Sequence, residues 1–335
     1  MEGKRNSSVE LLRIVAMSLV VAHHYVVNSD ARVCYDYADP TAKMLFLQLW
    51  GMWGKVAINA FVLITGYFMC TSILTLRRFM KLYLEMMFYS IVMWGVLFWS
   101  GYEDSSVMRI VEIFAWPFTG NNHGFGPSFL WFYLGIPFYN ILIKGMSRRQ
   151  AWLLVGLLVL MFSVASNVFY NKAVFHHVFW YMTLYFMGAA FRLHPQGWMN
   201  KNSICFPLLV GGVALGGASV LGMTYARMLG LHSHGPYLMV AESDRFVSVI
   251  VGALLFLTFK NLRLPYNRFI NAVASTTFGV LLIHAAGNGM RRWLWYDFLD
   301  VGSHALSMST MSFCLYSFFV LRGSSSPAVR SIIYV

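Results

Sequence analysis

Charged residues are scarce in this chain of 335 residues, and acidic residues are the scarcest of them. Lysine, arginine, aspartate and glutamate make up only 11% of the sequence, and just 13 residues are acidic. Because 58% of the residues are hydrophobic and the mean hydropathy is +0.60, a water-soluble domain of this size would lack the polar side chains to cover its surface. The composition therefore predicts an integral membrane protein.

Cysteine and the motifs of several enzyme classes are also lacking. The four cysteines, Cys34, Cys70, Cys205 and Cys314, lie in different segments, so they predict neither a disulfide framework nor a metal site. The sequence has no glycine-rich phosphate loop, no Walker lysine, no Gly-x-Ser-x-Gly elbow, no His-Glu-x-x-His and no Cys-x-x-Cys. Hydride transfer, ATP hydrolysis and zinc chemistry have no support, and we expect no bound cofactor.

Long apolar runs predict an all-α protein, a polytopic transmembrane bundle of about ten helices. The runs cover residues 9–27, 56–68, 79–99, 129–143, 152–168, 175–191, 204–223, 246–259, 269–286 and 305–321. A porin-like barrel would instead show short alternating strands. We treat residues 1–335 as one membrane domain. Residues 303–335 are Ser-rich and atypical, which leaves a truncated last span open as an alternative.

The distribution of basic residues predicts that the N-terminus lies in the cytoplasm. In that orientation 16 basic residues and only 3 acidic residues, Glu2, Glu10 and Glu85, face inside, whereas 9 basic and 10 acidic residues face outside. This asymmetry follows the positive-inside rule. The positive charge therefore indicates topology and contact with anionic lipid or an anionic cytoplasmic ligand, and it does not predict nucleic-acid binding.

Three predicted outer connections are long enough to contribute to binding: residues 28–55, 101–128 and 224–245. The second contains a glycine-rich stretch around His123. Their polar, aromatic and glycine content suits a cover over a hydrophilic acceptor, although ordinary solvated loops have the same composition.

Arg13 and His24 lie in the first apolar run, with ten residues between them. Ionisable groups at membrane depth are costly and mark functional sites by default. At 1.5 Å per residue, eleven positions span about 16 Å, which places Arg13 near the inner headgroups and His24 in the outer half. An ion pair between Glu10 and Arg13, at i and i+3, is the alternative role for the arginine.

His284 ends the ninth predicted span, at the depth of His24, and two histidines at one depth on different helices indicate a proton-transfer site. His176 and His177 also lie near an outer helix end.

Three further residues in the predicted spans, Lys55, Asn59 and Trp131, are candidates for contact with a substrate. Lys55 and Asn59 lie on one face of the second span, together with Gly66, but a lysine at a helix edge also snorkels to water. Trp131, in the fourth span, is a candidate for stacking on a sugar, although interfacial anchoring is the more common role of tryptophan.

The sequence resembles the acyltransferase 3 family of membrane acyltransferases, which modify bacterial cell-surface polysaccharides and related glycans. The resemblance is carried by six fragments in order: residues 10–24 with their Arg-x10-His pattern, 54–68, 81–90, 131–140, 184–188 and 274–284. The chain departs from this pattern at Ala285, where relatives often have an acidic residue, so a carboxylate partner for His284 would have to come from elsewhere.

The resemblance implies O-acylation in a bacterial inner membrane: an acyl group, commonly acetyl, passes from cytoplasmic acyl-CoA to a hydroxyl of an extracytoplasmic or lipid-linked glycan. Arg13 would bind acyl-CoA, and His24 and His284 would join Arg13 in catalysis. The candidates for orienting the acceptor or an oxyanion would be Lys55, Asn59 and Trp131. His24 suits a general base or a transient acyl carrier. A secondary transporter or flippase for a glycan or lipid is the alternative, since intramembrane arginine and histidine also mark ion paths.

Overall fold

Helices dominate the computed structural model, which describes residues 5–104, 106–119, 125–168, 176–231 and 235–323. The described residues are mostly helical and contain no strand. The prediction of an all-α protein is confirmed. His123 and residues 324–335, including Arg330, lie outside the described residues.

The helix bounds are α1 (Ser7–Val27), α2 (Ala42–Gly51), α3 (Gly54–Met69), α4 (Leu76–Trp99), α5 (Val107–Thr119), α6 (Phe125–Leu134), α7 (Ile136–Lys144), α8 (Arg148–Val159), α9 (Ala165–Val168), α10 (His177–Leu193), α11 (Asn202–Met228), α12 (Phe246–Lys260), α13 (Arg268–Ser275), α14 (Thr277–His284), α15 (Asn288–Arg291), α16 (Val301–Ser307) and α17 (Thr310–Gly323). Two 3₁₀ turns (Asp30–Cys34, Gly197–Asn200) and two π-helical segments (Leu160–Val164, Arg292–Phe298) lie between them.

Most of the predicted apolar runs correspond to helices, but several are interrupted. The runs that form α1, α3, α4, α10, α11 and α12 are each one helix. The run at 129–143 breaks at Gly135, because Pro137 lacks an N–H and its ring clashes with the carbonyl of the preceding turn, so a new helix starts there. The run at 269–286 breaks at Thr276, whose hydroxyl donates to the Val273 carbonyl at 2.8 Å.

Several helices are suited to a membrane by their length and apolar composition. Within the described residues these are α1, the stretch Ala42–Met69, α4 and α11; a fifth is added if the bent pair Arg268–His284 and Asn288–Ser307, at 96°, counts as one span. Only 22% of the apolar windows of α4 and α11 is buried. Such exposed apolar helices suit a lipid surround. The number of about ten spans and the cytoplasmic N-terminus stay predictions.

Two connections expected to be loops contain helices, so the loop predictions are wrong there. In residues 28–55, α2 buries Met44 and Leu47 completely. In residues 101–128, α5 covers Val107–Thr119, and α6 begins at Phe125. The acidic and glycine residues that flank these helices dominated the sequence pattern, and neither apolar stretch is long enough to cross a bilayer.

The centre of the bundle is formed by α1, α3, α10 and α12. Glycines allow α3 and α10 to pack with their backbones almost in contact: a Cβ on Gly66 would lie 2.4 Å from the Tyr185 carbonyl oxygen, and one on Gly188 would lie 2.5 Å from that of Leu63. Small residues have this role at helix contacts in membranes. At one end, the Ser8 hydroxyl of α1 donates to the Leu262 carbonyl at 2.7 Å, just after α12. These contacts fix α3 against α10 and α1 against the end of α12.

Candidate functional site

A cavity of about 770 Å³ follows α1 over most of its length. The residues of α1 that line it are Arg13, Met17, Val20, His24 and Asn28, the residue that follows the helix. Their spacing of three and four positions places them on one face of the helix. Arg13 and His24 therefore face the same cavity from one helix, at levels about 16 Å apart along its axis.

Other helices complete the walls of this cavity. Lys55, Ile58, Phe61 and Thr65 come from α3; Leu82, Ser90, Trp94 and Leu97 come from α4; Ile113 and Trp116 come from α5; Phe129 comes from α6, Tyr181 from α10, and Phe278 and His284 from α14. The ionisable side chains among the lining residues, besides those of the histidines, are Arg13, Lys55, Glu103, Glu112, Tyr181 and Arg291. The chamber is thus mainly apolar, with polar groups at separate places.

His24 and His284 form a hydrogen-bonded pair at the cavity wall. Nδ1 of His24 lies 2.9 Å from Nε2 of His284, and Nδ1 of His284 lies 2.6 Å from the Val280 carbonyl oxygen. The carbonyl is only an acceptor, so Nδ1 of His284 carries the hydrogen. In neutral rings, Nε2 of His284 then accepts from Nδ1 of His24, which leaves Nε2 of His24 with a free lone pair.

The free lone pair on Nε2 of His24 allows this residue to accept a proton. Within the described part of the chain, that nitrogen has no protein hydrogen-bond partner, and His24 lines the cavity. An imidazole whose second ring nitrogen is held by another group has a fixed tautomer and orientation, as a general base requires.

The neighbouring His23 has a different environment. Its Nδ1 lies 2.6 Å from the Gly51 carbonyl oxygen, and its ring packs against Gly54, where a Cβ would lie 2.4 Å from that of His23. His23 is not part of the cavity lining. It fixes the approach of α1 to the turn between α2 and α3.

Arg13 is close to Glu10, as one of the two sequence interpretations expected, and it also lines the cavity. Their closest nitrogen and oxygen atoms are 3.7 Å apart, too far for a hydrogen bond, and the Arg13 side chain is 37% exposed. The carboxylate balances the charge, and within the described residues no hydrogen bond occupies the guanidinium donors, so they suit an anionic ligand.

The structure separates the three residues expected to bind the acceptor. Lys55 lines the cavity, and its Nζ lies 3.1 Å from Oε2 of Glu242. Asn59 is fully buried outside the lining: it donates to the carbonyls of Ser243 and Ser248 and accepts from the Trp180 indole.

Trp131 is half exposed and also lies outside the cavity lining. Its indole donates to the Phe118 carbonyl at 3.0 Å, which holds α5 against α6. The cavity therefore brings together Arg13, His24, His284 and Lys55, but neither Asn59 nor Trp131.

Several lining residues were not identified from the sequence. Glu103 lies in the connection after α4, Glu112 in α5, and Arg291 at the end of α15. Glu242, the partner of Lys55, comes from a connection with ordinary loop composition. Nothing in their local pattern distinguishes them from solvated charges. His177 lines the cavity, whereas His176 caps α10 by accepting from the Val178 amide.

Comparison with known proteins gives one match. A family model described as an acyltransferase domain, the acyltransferase 3 model, matches residues 6–326, nearly the whole chain. No curated protein and no solved structure matches the sequence.

Proposed function

Because the chain belongs to the acyltransferase 3 family, we propose that it is a membrane O-acyltransferase that moves an acyl group, in the first instance acetyl, from cytoplasmic acyl-CoA to a hydroxyl. The acceptor is an extracytoplasmic or lipid-linked glycan, and the membrane is a bacterial inner membrane. One observation carries the proposal: Arg13 and His24 line a single cavity from one face of α1.

Arg13 is proposed to bind the donor. A guanidinium offers directed donors that suit the phosphates of acyl-CoA, and the long pantetheine arm can extend along the cavity toward His24. The apolar side chains of Met17 and Val20 lie on the cavity face between these two residues. They suit the uncharged part of the donor.

His24 is proposed to act as general base. Its Nε2 takes the proton of the acceptor hydroxyl while the oxygen attacks the thioester carbonyl, which forms a tetrahedral intermediate. When the carbon–sulfur bond breaks, the imidazolium returns the proton to the leaving thiolate. The products are the ester and free CoA, and the acid–base step needs no other reactant.

Lys55 is proposed to stabilise the oxyanion of the intermediate. Its ammonium group is the positive charge that α3 contributes to the cavity wall. A positive group aimed at a developing oxyanion is often a large contribution to catalysis.

The test is acyl transfer in proteoliposomes that contain purified protein, with labelled acetyl-CoA and an oligosaccharide acceptor. We expect transfer by the wild type and a loss of about 100-fold or more in His24→Ala. His23→Asn is the matched control, because the adjacent histidine lies off the cavity and asparagine can still donate to the Gly51 carbonyl. No transfer by the wild type, together with acceptor-dependent proton flux, would instead support a transporter or flippase.

A further inference from the structure

Lys55 ends in a flexible stem, and something must fix its ammonium group for it to act on one atom of an intermediate. We infer that Glu242 is a positioning residue for Lys55 and that side chains from three helical segments hold Glu242 in place by binding the backbone directly after it. This inference rests on the proposed acyl transfer, and it adds a role for an outer connection that contributes no residue to the cavity lining.

The connection that carries Glu242 is buried where an ordinary loop would be exposed. Val240 is 1% exposed, Ser243 3% and Asp244 2%. We call residues 240–245 the outer arm. Burial of backbone in a connection requires partners for its carbonyl groups, because each unpaired group would be costly.

Side chains from the bundle bind the outer arm at two successive carbonyls. Asn59 of α3 donates to the Ser243 carbonyl at 2.7 Å. Ser163, in the π-helical segment after α8, donates to the Asp244 carbonyl at 2.6 Å, and Asn167 of α9 donates to the same oxygen at 3.1 Å. The backbone directly after Glu242 therefore has a fixed position.

Glu242 projects from this fixed backbone to Lys55. Its Oε2 lies 3.1 Å from Nζ, with the lysine side chain 25% exposed and the glutamate side chain 48% exposed. An exposed ion pair contributes little to stability, so stability alone does not explain why an immobilised arm carries it. A lysine has three donors, and a carboxylate that occupies one of them directs the other two.

The first turn of α3, which carries Lys55, lies at the level of the histidine pair. The preceding residue, Gly54, packs directly on His23, where a Cβ would lie 2.4 Å from that of the histidine. The first turn of α3 is thereby held against α1 beside His24, and Lys55 and His24 line the same cavity. The outer arm, Glu242 and Lys55 form a continuous support that ends at the proposed reaction site.

The test compares Glu242→Gln, Lys55→Met and their double variant in the transfer assay. We expect Glu242→Gln to lower kcat about 10-fold and Lys55→Met about 100-fold, with the KM for acetyl-CoA within about 2-fold of wild type. If Glu242 acts through Lys55, the double variant is no worse than Lys55→Met alone. Glu242→Asp should recover part of the lost kcat.

The controls separate positioning from folding and from the proposed function. Asp39→Asn removes a carboxylate from a different outer connection and should leave kcat unchanged; thermal unfolding of Glu242→Gln should match wild type. Two results would overturn this inference alone. One is a wild-type kcat in Glu242→Gln. The other is a fall in kcat on Glu242→Gln that is as large in the Lys55→Met background as in the wild type. Absence of transfer in the wild type would overturn it together with the proposed function.

Discussion

Nε2 of His284 lies 2.9 Å from Nδ1 of His24, and Nδ1 of His284 donates to the Val280 carbonyl. The direction of both hydrogen bonds follows from that carbonyl, which only accepts. His284 therefore provides the acceptor that an acidic residue provides in many histidine sites. A second imidazole, from α14, thus supplies the acceptor for His24.

Substitution of His284 should lower the rate without preventing folding. His284→Ala removes the acceptor for Nδ1 of His24, so the ring loses its fixed tautomer, and we expect kcat to fall about 10- to 100-fold. His284→Gln places an amide oxygen near the position of Nε2 and should restore part of the rate. The measurement is kcat at saturating acetyl-CoA, and equal rates in the alanine and glutamine variants would contradict this role.

Arg13→Gln should weaken the use of acyl-CoA more than it affects folding. Loss of charge-assisted hydrogen bonds of about 1.5–3 kcal/mol each corresponds to a KM for acetyl-CoA that rises about 10- to 100-fold. The acceptor KM should stay within about 2-fold. Glu10→Gln is the control, because it removes the partner at 3.7 Å and leaves the guanidinium in place. An Arg13 variant that expresses poorly but has a normal KM would show that the arginine is structural.

Asn59→Ala should act mainly on stability. The fully buried amide makes three hydrogen bonds: it donates to two carbonyls and accepts from one indole. Each of these partner groups left unpaired by the substitution costs about 1–3 kcal/mol. We expect a clear fall in Tm in detergent, measured by intrinsic fluorescence. A role in acceptor binding, as the sequence suggested, would instead raise the acceptor KM at an unchanged Tm.

The shared face of Arg13 and His24 was predictable from the sequence because eleven residues are close to three full turns of a helix. The depth of His284 was predictable in the same way from its place at the end of an apolar run. Their direct contact was not, since it depends on how α14 packs on α1.

Lys55 and Asn59 show why the acceptor site was only partly predictable. A separation of four residues places both on one side of α3, but the cavity face of α3 runs through Lys55, Ile58 and Phe61. Lys55 lies at one edge of that face, and Asn59, about 40° further round the helix, lies just beyond it and donates to the Ser243 carbonyl. The sequence pattern does not determine how a helix is rotated about its axis in the bundle. It also does not determine where a distant connection such as the outer arm packs.

The contact between α3 and α10 should tolerate no side chain at Gly188. In Gly188→Ala, the new Cβ would lie 2.5 Å from the Leu63 carbonyl oxygen and 3.0 Å from the Tyr67 amide, and backbone atoms on α3 cannot rotate away. Overpacking of this kind costs about 1–3 kcal/mol, so Tm should fall.

Gly156→Ala is the matched control for Gly188→Ala. Gly156 also lies within a helix, α8, but a Cβ there meets nothing within 4 Å. Alanine is the better helix former by about 1 kcal/mol, so this variant should be as stable as wild type or more so. Since α3 carries Lys55, separation of α3 from α10 in Gly188→Ala should also lower transfer. A Gly188→Ala protein with wild-type Tm and activity would mean that the two helices are not packed as closely as the structure has them.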